Sequence, residues 1–340
     1  MHQLSDYADK EVLMVVFTCN HCPEAQAAEV KIKEVIEKYQ DESFGFVAIS
    51  GNSPKGLRVD ELRFSIYGDS YEEMVDHAKE YDLNYPYLFD GEDQKVTMAY
   101  GARSTPHVFI FDKDRILRYN GRLDSGRGEE WGDSRDAVNA VDALLAGKEV
   151  EVSTTRSFGC STKWIYKQDA VAKDNATWAA KPVGIESLDK ETLVSILEND
   201  QAPLRIVNVW ATWCGPCVSE MPDLVDIYRQ YQHRLEFVTI SIDQPKHQQK
   251  ALDILEDNQA AAGVLTERFA RKGGRSVNNF IWHNDNLDEL ADTLDPEWQG
   301  PVPYTLLVAP GGEIIYRHSG EIEPLELRKA IIEKLGRFWD

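Results

Sequence analysis

Two short apolar runs organise the chain. Val12-Leu-Met-Val-Val-Phe17 and Leu204-Arg-Ile-Val-Asn-Val-Trp210 lack the strict alternation of a half-exposed strand. Runs of this length and composition predict strands covered on both faces. Each gives way within a few residues to helical spacing. In the first case this covers Glu24 to Tyr39, with Ala28, Ile32, Val35 and Ile36 on one face; in the second it covers Val218 to Tyr231. Between strand and helix stands a Cys-x-x-Cys pair, Cys19 and Cys22 in the first instance, Cys214 and Cys217 in the second. A strand-to-helix junction suits a redox dithiol better than a packing cysteine.

The pattern recurs downstream. Thr105-Pro106 precedes the run His107 to Phe111 and a second run from Ile116 to Tyr119, and Val302-Pro303 precedes Tyr304 to Val308 and Glu313 to Tyr316. Both read as a proline at the start of a β-hairpin. Helices are predicted over Ser134–Leu145 and Pro324–Leu335. The first cysteines are offset by 195 positions and the two prolines by 197. One βαβ…ββα unit is thus used twice. The segment Ser153–Ala180 has few aliphatic residues and no clear period, which places the junction there. The expected domains are residues 1–165 and 181–340, with a linker at 166–180.

Composition narrows the function. The chain has 340 residues, 42% hydrophobic and 28% charged, an ordinary balance for two globular domains. Lys and Arg total 37 against 58 Asp and Glu, a formal charge of -21. Such a surface repels phosphate and anionic lipid, so neither nucleic acid nor a membrane surface is an expected partner. No apolar run approaches the roughly 20 residues of a membrane helix. The first residues have no signal-peptide pattern, so an exported protein would carry its signal outside this sequence. Five cysteines are too few for a disulfide scaffold. A zinc ribbon needs its pairs about 15–20 residues apart, far closer than these. The expectation is no metal and no cofactor, with a zinc site shared between domains, including His21, as the competing structural reading.

Trp213-Cys-Gly-Pro-Cys217 after an apolar strand, with Pro222 in the next helix and Val302-Pro303 downstream, resembles thioredoxin. The wording from Asn208 to Pro222 is similar to the TlpA-like thiol-disulfide oxidoreductases. The first half resembles the redoxins of the AhpC/TSA type, related to peroxiredoxins. That likeness rests on Phe17-Thr-Cys-Asn-His-Cys-Pro23, Tyr100-Gly-Ala-Arg-Ser-Thr-Pro106 and Phe158-Gly-Cys-Ser-Thr-Lys-Trp164. The resemblance implies an α/β protein of two thioredoxin-like three-layer α/β/α domains with central mixed sheets. In such domains a short strand pair usually precedes the position of Leu4. It also implies an extracytoplasmic location, periplasmic or secreted, and protein thiol or disulfide substrates served by an electron donor the sequence does not name. Both Thr105-Pro106 and Val302-Pro303 are implied to be cis and, with Trp213, to contact substrate. Against this stand an ordinary trans proline at a sheet edge and a tryptophan that simply packs.

A thiolate at a helix N-terminus is stabilised by free N–H groups and the helix dipole. On that basis Cys19 and Cys214 are the expected attacking thiols, with Cys22 and Cys217 resolving the mixed disulfide. His21 would favour a thiolate, and so an oxidising site, whereas Gly215-Pro216 matches a reducing one; the plainer reading of His21 is an exposed loop residue. Cys160 is either a free thiol in a connecting loop or a third redox cysteine that swings onto the first site. Thioredoxin has a buried Asp where this chain has Leu13 and Asn208, so the proton acceptor for Cys217 must lie elsewhere; Glu220 is expected to face solvent.

The leading function is a protein thiol-disulfide oxidoreductase, with electrons relayed from the second dithiol to the first. The alternative is a thiol peroxidase with Cys22 attacking peroxide and the second domain as its reductant. Val15 and Cys19 replace the proline and threonine of the peroxidase motif, and Arg103 is a candidate for the missing positive charge whose location the sequence does not fix. A third class, a binding module that merely keeps the fold, leaves two intact dithiols without a purpose.

Overall fold

The computed structural model describes residues 2–284 and 286–338. It divides into two compact units, one running through Ala172 and including Arg337 and Phe338, the other Lys173–Gly336.

In the first unit the chain runs β1 (Val12–Thr18), α1 (Pro23–Lys38), β2 (Phe44–Ser50), α2 (Tyr71–Glu80), β3 (Tyr87–Phe89), α3 (Lys95–Tyr100), β4 (Ser104–Thr105), β5 (His107–Phe111), β6 (Leu117–Gly121), α4 (Asp136–Leu145) and β7 (Cys160–Ser161). The five-stranded sheet has the order β3-β2-β1-β5-β6. β1 pairs in parallel with β2 and antiparallel with β5, so the sheet is mixed. The central strand explains the unbroken apolar run. Val12, Met14 and Val16 pack on one face with Ala28, Ile32 and Val35 of α1 and Val138 and Val141 of α4. Leu13, Val15 and Phe17 pack on the other with Ala102, Phe109 and Tyr100. Side chains alternate across a strand, so a strand covered twice must be apolar at every position.

The unit boundary falls inside a helix, α5 (Gln168–Ala179). The segment expected to be a linker is mostly helical, and its low aliphatic content reflects a helix that buries Trp178 alone. The second unit continues with β8 (Ile185–Leu188), α6 (Lys190–Glu198), β9 (Arg205–Trp210), α7 (Gly215–Tyr231), β10 (Glu236–Ser241), α8 (Gln248–Asp257), α9 (Val264–Arg271), β11 (Asn279–Trp282), α10 (Leu287–Leu294), β12 (Tyr304–Val308), β13 (Ile314–Ser319) and α11 (Pro324–Leu335). Its sheet has the order β13-β12-β9-β10-β11-β8, parallel from β9 to β8 and antiparallel at β12 and β13. Val207, Val209, Val238 and Ile240 meet Leu193, Ile196, Leu290 and Leu294 on one face. On the other, Tyr228 of α7 meets Phe237, ring centroids 5.5 Å apart. Each unit is a mixed sheet between two helical layers, the thioredoxin-like architecture, with its dithiol where the central strand hands over to a helix.

Candidate active sites

The two dithiols differ in where the helix begins. α7 starts at Gly215, with Cys214 as its N-cap and Pro216 in the first turn. α1 starts at Pro23, and its N-cap is Cys22. The Cys22 carbonyl accepts the first intrahelical bond, from Gln26 N at 2.9 Å. Proline dictates this. Were Cys19 the cap, residue 23 would have to donate to its carbonyl, and proline has no N–H. The expectation that Cys19 stands at the helix start is therefore corrected: Cys19 lies at the strand end, three residues upstream.

Cys19 and Cys22 are fully buried, free thiols, and Cys160, partly buried, packs against them. The Cys19 thiol donates to Thr105 Oγ1 at 3.2 Å, and the protonated Cys22 thiol donates to the Thr105 carbonyl at 3.1 Å. The Cys160 N–H donates to Cys22 Sγ at 3.4 Å. Burial pushes the Cys19 thiol up, and its contact with Cys22 and the nearby Asp69 carboxylate push it further. Burial also pushes on Cys22, but hydrogen bonds from Cys160 and Cys19 and the charge of His21 outweigh it and hold Cys22 well below the ordinary thiol range. Cys160 is raised, by its hydrogen bond to Cys22 and by burial. In this trio the thiolate belongs on Cys22.

His21 is not an exposed loop residue; it is 2% exposed. Its Nδ1 lies 2.6 Å from Asp69 Oδ2. Burial alone would pull the imidazole down, and the Asp69 carboxylate reverses that and holds it above its ordinary value. Asp69 in turn accepts from Asn20 N at 2.9 Å and Asn52 Nδ2 at 2.8 Å. Burial pushes its carboxyl up, but His21 and these donors keep it below the usual range. The ligand atoms of Cys19, His21 and Asp69 lie within 4.8 Å of one another. With Asp69 saturated by these donors, the group is a hydrogen-bonded network buried under the dithiol. Asp69 escaped the sequence reading; only its position just before the N-cap Ser70 marks it.

Cys160 does not sit on a swinging loop. β7 pairs antiparallel with β4, Ser161 opposite Ser104 and Cys160 opposite Thr105. The next residues are tied down by Thr162 N to Arg103 O (3.1 Å), Lys163 N to Asn52 Oδ1 (2.8 Å) and Ile165 N to Gln94 Oε1 (2.7 Å). Gly159 makes the approach possible: its φ is 145°, and a Cβ there would stand 2.1 Å from the Thr105 carbonyl oxygen. Thr105 thus spends its hydroxyl on one cysteine, its carbonyl on another and its strand edge on a third. The edge expected to receive a substrate backbone is filled by the chain itself.

In the second site Cys214 and Cys217 form a disulfide, and Cys217 N donates to Cys214 Sγ at 3.3 Å. Cys214 Sγ lies 3.5 Å from the carbonyl oxygen of Val302, which lies outside every described strand. Trp213 is 66% exposed beside the dithiol. The Thr105-Pro106 and Val302-Pro303 peptide bonds are both cis. Glu220 corrects another expectation: it is 1% exposed, not solvent-facing. It stands one helical turn after Cys217, on the same face of α7. Its oxygens accept from Asn208 Nδ2 at 2.9 Å and Ile322 N at 2.8 Å, and burial raises its pKa to about 7 in spite of these bonds. Asn208 also donates to Thr305 Oγ1, 3.0 Å away. Leu13, at the matching place in the first unit, is an ordinary core residue.

Residues 1–141 match the Redoxin family model and residues 189–317 the AhpC/TSA family model. The chain is 30% identical over 131 residues to the thiol-disulfide oxidoreductase ResA of Oceanobacillus iheyensis, spanning 38% of this chain and 55% of that protein. It is 34% identical over 98 residues to a thioredoxin of Staphylococcus haemolyticus, spanning 29% of this chain and 86% of that one. The chain thus spans little more than half the length of that ResA. Among solved structures, a hypothetical protein from Sinorhizobium meliloti is 32% identical with a TM-score of 0.41, covering 47% of this chain and 84% of that one. StoA of Bacillus subtilis is 19% identical with a TM-score of 0.29, covering 39% and 85%. No described helix is long and apolar enough to cross a membrane. With two family models in tandem and a thioredoxin matched over most of its length, the chain belongs to the thioredoxin superfamily, a Redoxin-type domain followed by an AhpC/TSA-type domain akin to ResA.

Proposed function

We propose that the protein is a thiol-disulfide oxidoreductase with two dissimilar reaction centres. The observation that carries this reading is the presence of a cysteine at the N-cap of a helix in each unit, with further sulfur beside it. In the second centre Cys214 attacks a substrate disulfide, one substrate thiolate leaves, and Cys217 attacks Cys214 Sγ to release the other. Glu220, poised near neutrality, takes the Cys217 proton. Exposed Trp213 and the unpaired backbone at Val302 receive a polypeptide substrate. In the first centre Cys22 is the attacking thiolate, and either Cys19 or Cys160 resolves. Each cycle moves two electrons from a protein dithiol to a substrate disulfide or the reverse.

Stabilising the Cys22 thiolate stabilises the reduced form, so the first centre is the more oxidising and electrons run toward it from the second. The resemblance to TlpA-like proteins supports work in an extracytoplasmic, disulfide-permissive compartment. The test is turnover of a protein disulfide by the full chain, with Cys22→Ser and Cys214→Ser removing the two centres in turn. Activity that survives both changes together would refute the reading.

A peroxidase reading is favoured by one observation: Cys22, the peroxidatic candidate, is the thiolate, with a third sulfur ready to condense. Peroxide would oxidise Cys22 to sulfenic acid, releasing hydroxide; Cys160 or Cys19 would then form a disulfide with loss of water. Arg103 is exposed and makes no described contact with the cysteines, and Val15 and Cys19 offer no peroxide-orienting hydroxyl. Trapping of sulfenic acid at Cys22 under low peroxide decides between the two.

A further inference from the structure

The first unit holds a pocket whose charge opposes that of the whole protein. A hollow of about 1180 Å³ beside β4 and β7 is lined by Arg103, Arg122, Arg127 and Arg156, with no Asp or Glu among its lining residues. The chain as a whole carries a formal charge of -21. Arg122 is neutralised by Asp136 at 2.7 Å. Arg103, Arg127 and Arg156 make no ion pair among the described residues, and Arg127 stands over the Phe158 ring, 5.6 Å from its centroid. The charge of Arg127 already acts on the Glu24 carboxylate; Arg103 and Arg156, guanidinium groups without an ion pair on an acidic protein, are free to bind carboxylates through paired N–H donors. Arg127, Phe158 and Gly159 also line a second hollow of about 500 Å³, which reaches His21 and Cys160. The arginine-lined hollow therefore shares a wall with the hollow that reaches Cys160, whose lining also holds Glu24 and a Glu61 paired with Lys163; Cys19 and Cys22 are fully buried and line neither hollow.

Two further facts restrict the occupant. The Thr105 edge, along which a protein strand would pair, is taken by β7. The rest of the molecule repels polyanions, so a long acidic or nucleic-acid ligand gains little from one concave patch. We propose that this hollow is a binding site for low-molecular-mass disulfides and thiols carrying two or more carboxylates, delivered to the first centre. The redox arm of the test rests on the proposed chemistry of that centre; the binding arm does not. In the reaction the Cys22 thiolate attacks one sulfur of the small disulfide and expels one carboxylate-bearing thiolate. Cys160 or Cys19 then attacks Cys22, expelling the second and leaving a protein disulfide; both electrons come from the protein dithiol.

The redox arm uses the full chain with Cys214→Ser and Cys217→Ser, pre-reduced, in single turnovers at low salt. Three probes differ in charge: dithiobis(nitrobenzoate), a dianion; bis(hydroxyethyl) disulfide, neutral; and cystamine, a dication. The second-order rate for the dianion relative to cystamine is expected to fall about ten-fold or more on introducing Arg103→Glu and Arg156→Glu together, and to fall similarly in the parent as salt is raised. An unchanged ratio overturns the proposal. The binding arm uses the full chain with all five cysteines changed to serine, which cannot react, and follows dithiobis(nitrobenzoate) by calorimetry. Saturable binding lost on the two Arg→Glu changes supports the site, and no binding overturns it. Binding without turnover of any probe in the redox arm would instead remove the proposed chemistry of the first centre and leave the site standing. A preserved circular dichroism spectrum in the serine protein guards the negative result, and in its absence the same calorimetry on the parent alkylated at its thiols decides.

Discussion

Cys19-Asn-His-Cys22 and Cys214-Gly-Pro-Cys217 share a spacing and a place between central strand and helix, yet their helices begin three residues apart in register. In the second, proline lies between the cysteines and the first cysteine caps the helix. In the first, proline follows both, and the second cysteine caps it. The dipole and free N–H groups of the helix therefore act on Cys214 in one unit and on Cys22 in the other. Their surroundings diverge accordingly. The second dithiol has an exposed tryptophan beside it and the Val302 carbonyl, outside every described strand, against Cys214. The first is roofed by β7, fully buried, and backed by the His21–Asp69 pair. Spacing alone thus says that a dithiol is present; the proline says which sulfur caps the helix, and the flanking chain says how far the dithiol is covered.

The sharpest way to break this comparison is to remove one sulfur at a time. In the chain lacking Cys214 and Cys217, Cys22→Ser is expected to slow first-centre reaction with small disulfides by roughly a hundred-fold or more, because only a thiolate attacks. Cys19→Ser is expected to preserve the attack and to leave a Cys22–Cys160 disulfide, read by peptide mapping. Reactivity that follows Cys19 instead would restore the symmetric assignment.

Glu220→Gln is expected to slow the second centre by at least about ten-fold at neutral pH and to remove the inflection near pH 7 from its rate profile. The same change has a stability signature. A carboxyl whose folded pKa is raised contributes stability that is full below its unfolded value and lost as pH rises through about 7. Denaturant midpoints of the parent should therefore decline relative to Glu220→Gln between the ordinary carboxylate range and neutrality. Parallel pH curves would mean that the carboxylate is not linked to folding.

Asp69→Asn is expected to cost the first unit about 3 kcal/mol in chemical denaturation, since it strips a buried imidazolium of its counter-ion. It should also raise the Cys22 pKa, followed by thiolate absorbance, as His21 loses its charge. The smallest expected effect is on potential. Titrating each centre with the other changed to serine should find the first more oxidising, and about 30 mV already corresponds to a ten-fold equilibrium. Equal potentials would leave two centres that differ in access but not in electron affinity.

Much of this was legible in the sequence. Apolar runs gave both central strands, and the doubled Thr-Pro and Val-Pro hairpins gave the second half of each sheet. The register of α1 was legible too, from Pro23, but the Cys-x-x-Cys spacing suggested symmetry and hid it. Glu220 was misplaced because a charged residue on an amphipathic helix is usually solvated; what buries it is a pair of donors, Asn208 and the Ile322 backbone, the latter 102 positions away. Asp69 and Cys160 were harder. Their roles depend on tertiary closure, and no periodicity registers a loop carboxylate that meets His21 or a two-residue strand that meets Thr105.

The short β4–β7 pairing also has a consequence for synthesis. The contact between Cys160 and Cys22 joins positions 138 residues apart. On the ribosome, strand β1 and helix α1 emerge long before the residues that complete their centre. Until β7 arrives, Cys22 lacks both its N–H donor and its third sulfur, so it is a less reactive thiol than in the finished unit. The sulfur cluster is therefore completed last, after the sheet beneath it can form.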